Sequence, residues 1–450
     1  MSVSDDFNKM PPGFDFGLAV AEADRCLLCY DAPCSKGCPA NTKPAEFIRK
    51  FRLKNITGAI RTIKTNNVLG GACGVLCPTE RLCEQECAAK LRSLSHSADR
   101  DRPIQIGKIQ RFLIEHSWKM GFKVLERGES KSEKIAIVGS GPAGLSCAAE
   151  LAKAGYSVTV FESKAEAGGM IRYGVVPFRF NLDFLKRELE DIKSLGVEFK
   201  FNTQIGDKSG VEDLLTQGFS AVFLGTGLWS GTKLKPEESY PKGVYGSVDY
   251  LSGLRDGRLD QFSQAFAGKT VAVIGGGATA MDCIKSAVKL GAKEVYLVYR
   301  RSFLQMPAEM PERIESLNSG VHFLFLNQPL DFIADSNSNI KGLKLVQTKL
   351  GDPDDSGRRR PIPIEGSEWI LETDIVIEAI GNKAKTGSPE WYPNVKVNGK
   401  NLIITNPDSC ETSVKGIFAG GDIVRGPALV VQAVQDGKIA AQSIINYLSN

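Results

Sequence analysis

The spacing of apolar positions divides the chain into a helical first part and an α/β remainder. Over 44–51, 56–63 and 106–118 apolar residues recur three or four positions apart, the period of helices with one buried face. No strand pattern interrupts the first 125 or so residues. The polar run Arg127-Gly-Glu-Ser-Lys-Ser-Glu-Lys134 cannot build a core and predicts a linker. After it, a short apolar strand over 135–138, a helix over 143–154 and a second strand over 157–161 spell a βαβ unit. The same grammar returns at 270–274, 278–290 and 294–299, a repeat of architecture within one chain. A strand ending near Gly416 to Asp422 and a helix over 429–447 follow, while 352–360 predicts an exposed hairpin or loop with solvated charges.

At roughly 150 residues per domain, 450 residues fit about three domains. The chain is 42% hydrophobic and 24% charged, which excludes a disordered or fibrous protein, and its 46 glycines point to close approaches of backbone to ligand. Lysine and arginine number 56 against 52 acidic residues, net +4 with both signs scattered, so no field draws the chain to nucleic acid or membrane. No apolar run reaches about 18 residues, and the polar, acidic start is unlike a secretion leader. A soluble, cytoplasmic protein is expected.

Candidate chemistry begins with cysteine. Eight of eleven lie between Cys26 and Cys87, as Cys26-x2-Cys29-x4-Cys34-x3-Cys38-Pro39 and Cys73-x3-Cys77-Pro78-x4-Cys83-x3-Cys87. Both groups share the style of iron-sulfur runs in which the last cysteine ligates the other of two clusters, so two [4Fe-4S] clusters are the natural count. Counting alone makes all eight cysteines ligands. Soft thiolates suit iron-sulfide, disulfides are disfavoured in a cytosolic chain, and zinc sites usually come as paired C-x2-C halves.

Two glycine-rich turns carry the second signal. Gly139-Ser-Gly141-Pro142-Ala143-Gly144 joins a predicted strand to a predicted helix, and Glu162 closes the next strand. This is a dinucleotide fingerprint in its proper context: backbone near pyrophosphate, a helix N-terminus facing the anion, a carboxylate for ribose hydroxyls. Gly275-Gly-Gly277-Ala278-Thr279-Ala280 repeats it, but Arg300-Arg301 stand where the acid would be. Guanidinium groups pair with a 2′-phosphate that a carboxylate would repel, so this half favours NADPH over NADH. Gly421-Asp422 places a further carboxylate ahead of the last helix, suited to the ribityl or phosphate portion of a flavin.

Over nearly its whole length the chain resembles the glutamate synthase small-subunit type of NAD(P)H oxidoreductase. Its first part, through Arg25-Cys-Leu-Leu-Cys-Tyr-Asp-Ala-Pro-Cys-Ser-Lys-Gly-Cys-Pro39, Cys77-Pro-Thr-Glu-Arg-Leu-Cys83 and Pro103-Ile-Gln-Ile-Gly-Lys-Ile-Gln-Arg-Phe112, looks most like the NAD(P)H-oxidising portion of dihydropyrimidine dehydrogenase. The resemblance implies that Cys26, Cys29, Cys34 and Cys87 hold one cluster and that Cys38, Cys77, Cys83 and Gln110 hold the other, leaving Cys73 spare. It carries over Gly169, Arg179 and Gly225 as FAD contacts. Met306-Pro307 and residues 351–360 look more like glutamate synthase, and Ala278 departs from the aspartate common in these families. The pyrimidine-reducing FMN barrel is absent, so this chain alone should not reduce uracil.

The expected architecture is α/β, with two Rossmann-like domains preceded by an α-helical iron-sulfur domain. Its parts are a helical domain over 1–130, an FAD domain split into 131–230 and 384–450, and an NAD(P)H domain over 231–383. The expected function is transfer of electrons from NADPH through FAD and two [4Fe-4S] clusters to a partner carrying FMN or further iron-sulfur clusters. Alternatives are a stand-alone NADPH oxidoreductase reducing ferredoxin or small acceptors, and a non-catalytic NADP-sensing module.

Overall fold

The computed structural model describes residues 7–91, 102–206, 210–236, 240–354 and 357–449. It forms two compact units: one of Met10–Arg172, Arg179–Leu228 and Ala384–Asn450, the other of Met1–Lys9, Tyr173–Phe178 and Trp229–Lys383.

The larger unit begins with helices α1 (Phe16–Asp24), α2 (Pro44–Arg52), α3 (Ile56–Asn66), α4 (Gly70–Leu76) and α5 (Ile106–Lys119). Asp15 caps α1 by accepting from Leu18 N at 2.8 Å, and Asn55 caps α3 by accepting from Gly58 N at 2.9 Å. The apolar stripes meet in one core of Phe47, Phe51, Ile60, Ile63, Ile109, Phe112 and Leu113. Each such side chain is worth roughly 1.5–3 kcal/mol on burial, which holds together helices too short to stand alone.

Strands β1 (Lys134–Val138), β2 (Ser157–Phe161), β3 (Glu198–Lys200) and β4 (Ala221–Leu224) follow, and a last strand, Ile417–Ala419, returns from the end of the chain. The parallel order is Ile417–Ala419, β4, β1, β2, β3. β4 is buried throughout and β1 at every position after Lys134, as a parallel sheet covered on both faces requires. Helix α6 (Pro142–Lys153) packs against the C-terminal helix Val430–Ser449 so closely that a Cβ on Gly437 would lie 2.3 Å from Ala143 O.

The helical part and this sheet fall within one compact unit. Buried polar groups tie them. Glu188, on α7 (Leu182–Ser194), accepts from Gly71 N at 2.6 Å and Ala72 N at 3.1 Å at the start of α4. Lys438 Nζ on the C-terminal helix donates to Ala40 O and Asn66 O, both at 2.7 Å, and Lys64 pairs with Asp191 at 2.7 Å. Such groups, desolvated on both sides, are costly to uncover, so the linker at 127–134 joins parts that are already docked.

The smaller unit is built on the second parallel sheet, from β5 (Val244–Gly246), β6 (Thr270–Ile274), β7 (Glu294–Tyr299), β8 (His322–Phe325) and β12 (Ile375–Glu378), in the order β5, β12, β6, β7, β8. Helix α8 (Ala278–Lys289) follows β6. Between β8 and β12 the chain forms a three-stranded antiparallel sheet of β9 (Asn327–Ala334), β10 (Ile340–Pro353) and β11 (Arg359–Glu372), an addition that the βαβ reading had not anticipated. Phe7 is fully buried in this unit's core, 5.4 Å from the Phe178 ring. Residues 7–9 and 173–178 therefore depart from the expected 1–130 and 131–230 boundaries, because apolar anchoring outweighs position in the sequence.

Candidate cofactor sites

The first glycine-rich turn leaves β1 at Gly139, whose φ of +96° lies in the left-handed region open to glycine. Pro142 starts α6, where a missing N–H costs nothing. A Cβ on Gly144 would meet Gly139 O at 2.0 Å, and one on Gly139 would meet Gly225 O at 2.5 Å. A Cβ on Gly169 would lie 2.7 Å from Gly141 Cα, and one on Gly421 would lie 3.0 Å from Ala143 Cβ, whereas Gly141 itself has room for one. Glu162 is buried at the end of β2, where one carboxylate oxygen accepts from Ser140 N (3.0 Å) and Ser140 Oγ (2.5 Å) and the other from Lys164 N (2.8 Å). The predicted acid thus stands beside the turn and braces it.

Gly421 N, at the end of the last strand, donates to buried Asp436 at 2.9 Å, and Arg425 closes on the same carboxylate in bidentate fashion at 2.5–2.9 Å. Burial, reinforced by the Asp436 charge, pushes the neighbouring Asp422 carboxyl up to about 7. Arg179 is half-buried just ahead of α7. A narrow backbone cradle, a helix start behind it and carboxylates at its rim are the features an FAD pyrophosphate and ribose require.

In the smaller unit, Gly275 (φ +141°) leaves β6, and its Cβ would fall 2.3 Å from Ala379 O. Gly277 caps α8, which opens with Ala278 and Thr279. The two arginines part company here: Arg300 is exposed, whereas Arg301 is 5% exposed and pairs with Asp354 at 2.5 Å, its Nε donating to Arg359 O at 2.8 Å. Of the two arginines expected at the 2′-phosphate, Arg301 is therefore also engaged in an internal ion pair. Asp354, read from sequence as a solvated loop charge, is its partner.

The cysteines fall into two neighbourhoods. Burial, then the charges of Cys87, Cys26 and Cys29, push the Cys34 thiol up to about 12, and Cys26 is raised by burial and by Cys87 and Cys29. In the other, Cys77 is raised by its hydrogen bond to Cys73 and by burial, with Cys83 and Cys38 adding to the effect. Thiols that hinder one another's ionisation are thiols held close, and iron removes that penalty by binding the thiolates. Backbone N–H groups already aim at sulfur: Thr42 N at Cys38 Sγ (3.4 Å) and Ile104 N at Cys87 Sγ (3.4 Å). Gln110 is buried on α5 with Nε2 donating to Gly70 O at 2.6 Å, which leaves the amide oxygen as its ligand-type atom. Among the described residues no group of three or more His, Cys, Asp or Glu converges as a single metal ion requires.

Sequence reasoning missed Glu188, Asp436 and Lys438. The latter two had a signal, since they are the charges flanking Gly437 in an otherwise uncharged final helix. Burial pushes the Glu188 carboxyl well up, and only its Oε1 accepts the two amides. Glu188→Gln keeps such an acceptor and is expected to leave stability within about 0.5 kcal/mol, whereas Glu188→Ala should cost about 1–3 kcal/mol in denaturant unfolding. Equal losses in both variants would contradict this role.

Two dinucleotide turns on separate parallel sheets, with a cysteine-rich helical segment packed on the first, define a two-dinucleotide oxidoreductase with an iron-sulfur part. The chain belongs to the pyridine nucleotide-disulphide oxidoreductase family, which matches residues 133–437, and residues 3–122 match the dihydropyrimidine dehydrogenase domain II, 4Fe-4S cluster. It is 35% identical to the NADPH glutamate synthase small chain of Escherichia coli, covering 98% of this chain and 94% of that one. It is 33% identical to the NAD-dependent dihydropyrimidine dehydrogenase subunit PreT of Salmonella typhimurium, covering 98% and 97%. Mycobacterium tuberculosis FprA in complex with NADPH shares the fold, with a TM-score of 0.60 at 21% identity over 71% of this chain and 85% of that one. The protein is therefore a flavoprotein oxidoreductase, and no described helix is long and apolar enough to cross a membrane.

Proposed function

We propose that this chain is an electron-input subunit: it oxidises NADPH and delivers the electrons to a partner protein carrying FMN or further iron-sulfur clusters, as in complexes of the dihydropyrimidine dehydrogenase or glutamate synthase kind. The carrying observation is the C-terminal helix. It packs on the fingerprint helix α6 through Gly437 and, one residue on, reaches Ala40 beside Cys38 through Lys438. The flavin-type cradle and the cysteine loops are thus braced by one rigid element, as electron transfer between fixed cofactors needs.

A flavin held here would supply hydride acceptance from reduced nicotinamide, and iron-sulfur clusters held by the cysteines would supply one-electron transfer. The chain's own work is to hold. Gly139, Gly141 and Gly144 let backbone approach the pyrophosphate, Pro142 and Ala143 start the helix that faces it, and Glu162 and Asp422 border the ribose and ribityl sides. Gly275, Gly277, Ala278 and Thr279 do the same for the nicotinamide nucleotide. Cys26, Cys29, Cys34 and Cys87 are assigned to one [4Fe-4S] cluster and Cys38, Cys77, Cys83 and Gln110 to the second. No side chain is needed as acid or base.

Anaerobically purified protein is expected to carry about eight irons and one FAD per chain, the content of two [4Fe-4S] clusters beside one flavin, and the flavin should bleach on NADPH titration. A co-purifying stoichiometric partner supports the input role. Full turnover of small acceptors by the lone chain would favour a stand-alone oxidoreductase, and binding of NADPH without bleaching would overturn both readings.

A further inference from the structure

We propose that Asn67 and Thr42 form a hydrogen-bond relay that ends on the sulfur of Cys38 and raises the reduction potential of the [4Fe-4S] cluster which that cysteine helps to hold. The inference rests on the ligand assignment above and adds to it two residues that bind no iron themselves.

The turn after Cys38 brings Thr42 back onto it. Asn41 and Lys43 both lie in the left-handed region, with φ of +52° and +60°, so the chain reverses on either side of Thr42. Asn41 N donates to Cys38 O at 3.0 Å and Thr42 N to Cys38 Sγ at 3.4 Å, and Thr42 Oγ1 lies 3.5 Å from the same sulfur. Thr42 and Asn67 are each 1% exposed, so their polar atoms are shielded from water.

Asn67 fixes which way the hydroxyl points. Its Oδ1 accepts from Leu69 N at 3.0 Å, which leaves Nδ2 to face Thr42, and Nδ2 donates to Thr42 Oγ1 at 3.3 Å. A hydroxyl that accepts from an amide on one side has its own proton to give on the other. A sulfur bound to iron is a thiolate with no proton of its own, so it accepts from both the hydroxyl and the amide of Thr42. Lys438 holds the two segments in register, because its acceptors, Ala40 O and Asn66 O, lie two residues before Thr42 and one before Asn67. Asn67 also hydrogen-bonds Cys73, itself hydrogen-bonded to Cys77, so the same amide reaches a second assigned ligand of this cluster.

Hydrogen bonds to ligand sulfur stabilise the more negative, reduced state of a cluster. In a buried site they are weakened little by solvent. The relay therefore makes this cluster easier to reduce than its ligands alone would make it.

The test is a potentiometric titration of the anaerobically loaded full chain, with each cluster followed by electron paramagnetic resonance and iron per chain measured alongside. Thr42→Val, which keeps the shape and removes the hydroxyl, is expected to favour the oxidised form of one cluster about tenfold, a drop of about 59 mV for a one-electron couple, while the other cluster moves less than about twofold. Thr42→Ser, which keeps the hydroxyl, should stay within about twofold of the unmodified protein. Asn67→Asp keeps the acceptor for Leu69 N but replaces the donor to Thr42 by an acceptor, which draws the hydroxyl proton off the sulfur, and should lower the same cluster at least as far. Should Thr42→Val lose iron, Asn67→Asp reads the relay in its place. Unmoved potentials at full iron content, equal shifts of both clusters, or a shift in Thr42→Ser as large as in Thr42→Val would overturn the proposal. Protein that takes up no [4Fe-4S] cluster at all would instead overturn the cluster reading, separately and first.

Discussion

Alanine at Gly144 is expected to yield protein without flavin. Its Cβ would lie 2.0 Å from Gly139 O and 3.2 Å from Ile137 Cγ2. The first contact is with backbone at the very turn where α6 meets β1, so no side chain can swing away. Helix α6 would have to withdraw from the sheet, and in doing so would lose its contact with the C-terminal helix, where Ser146 Oγ donates to Val434 O at 3.0 Å. Overpacking of this kind costs about 1–3 kcal/mol where neighbours give way and more where they do not. Flavin absorbance per chain and thermal unfolding measure both consequences. Full flavin occupancy with an unmoved transition would show that the turn tolerates the methyl group and that the close approach is not needed.

The second large effect is expected at Cys77. Cys77→Ser should lower iron from about eight to about four per chain, with the remaining cluster signal intact, because only one neighbourhood of thiolates is broken. Cys73→Ser should keep all eight irons. The pair is a sharp comparison: both residues sit on or at the end of α4 and their thiols are hydrogen-bonded, yet only Cys77 is assigned as a ligand. Gln110→Ala should behave like Cys77→Ser. Loss of iron from Cys73→Ser together with full iron in Gln110→Ala would replace the mixed ligand set by one of eight cysteines.

Together these outcomes separate the role of backbone from that of side chains. The flavin-type turn relies on what is absent, since a methyl group at Gly144 would fall 2.0 Å from Gly139 O. The cluster regions work by what is present, with thiols kept near one another at the cost of a raised pKa until iron binds. Glu188 and Lys438 join the two without entering either. Each comes from the sheet part of the unit and satisfies backbone of the helical part, so the spacing between cradle and cysteines does not depend on a flexible linker.

The chemistry was legible along the chain because its signals are local. Gly139 to Gly144, Gly275 to Ala280 and the two cysteine runs each span a few residues, and the backbone conformation or ligand spacing they demand is written within them. The apolar stripes of α2, α3 and α5 are equally local, since a helix repeats within a few residues. What spacing could not express is which buried group faces which across the fold. Glu188 meets Gly71, Lys438 meets Ala40, Phe7 enters the core around Phe178, and Arg301 pairs with Asp354. These pairings join residues far apart in sequence, and their strength comes from desolvation, which exists only once the intervening elements have packed. Sequence by itself determined the two dinucleotide turns and the cysteine runs; tertiary packing decided which arginine faces outward, where the units divide and what holds the cysteine helices to the first sheet.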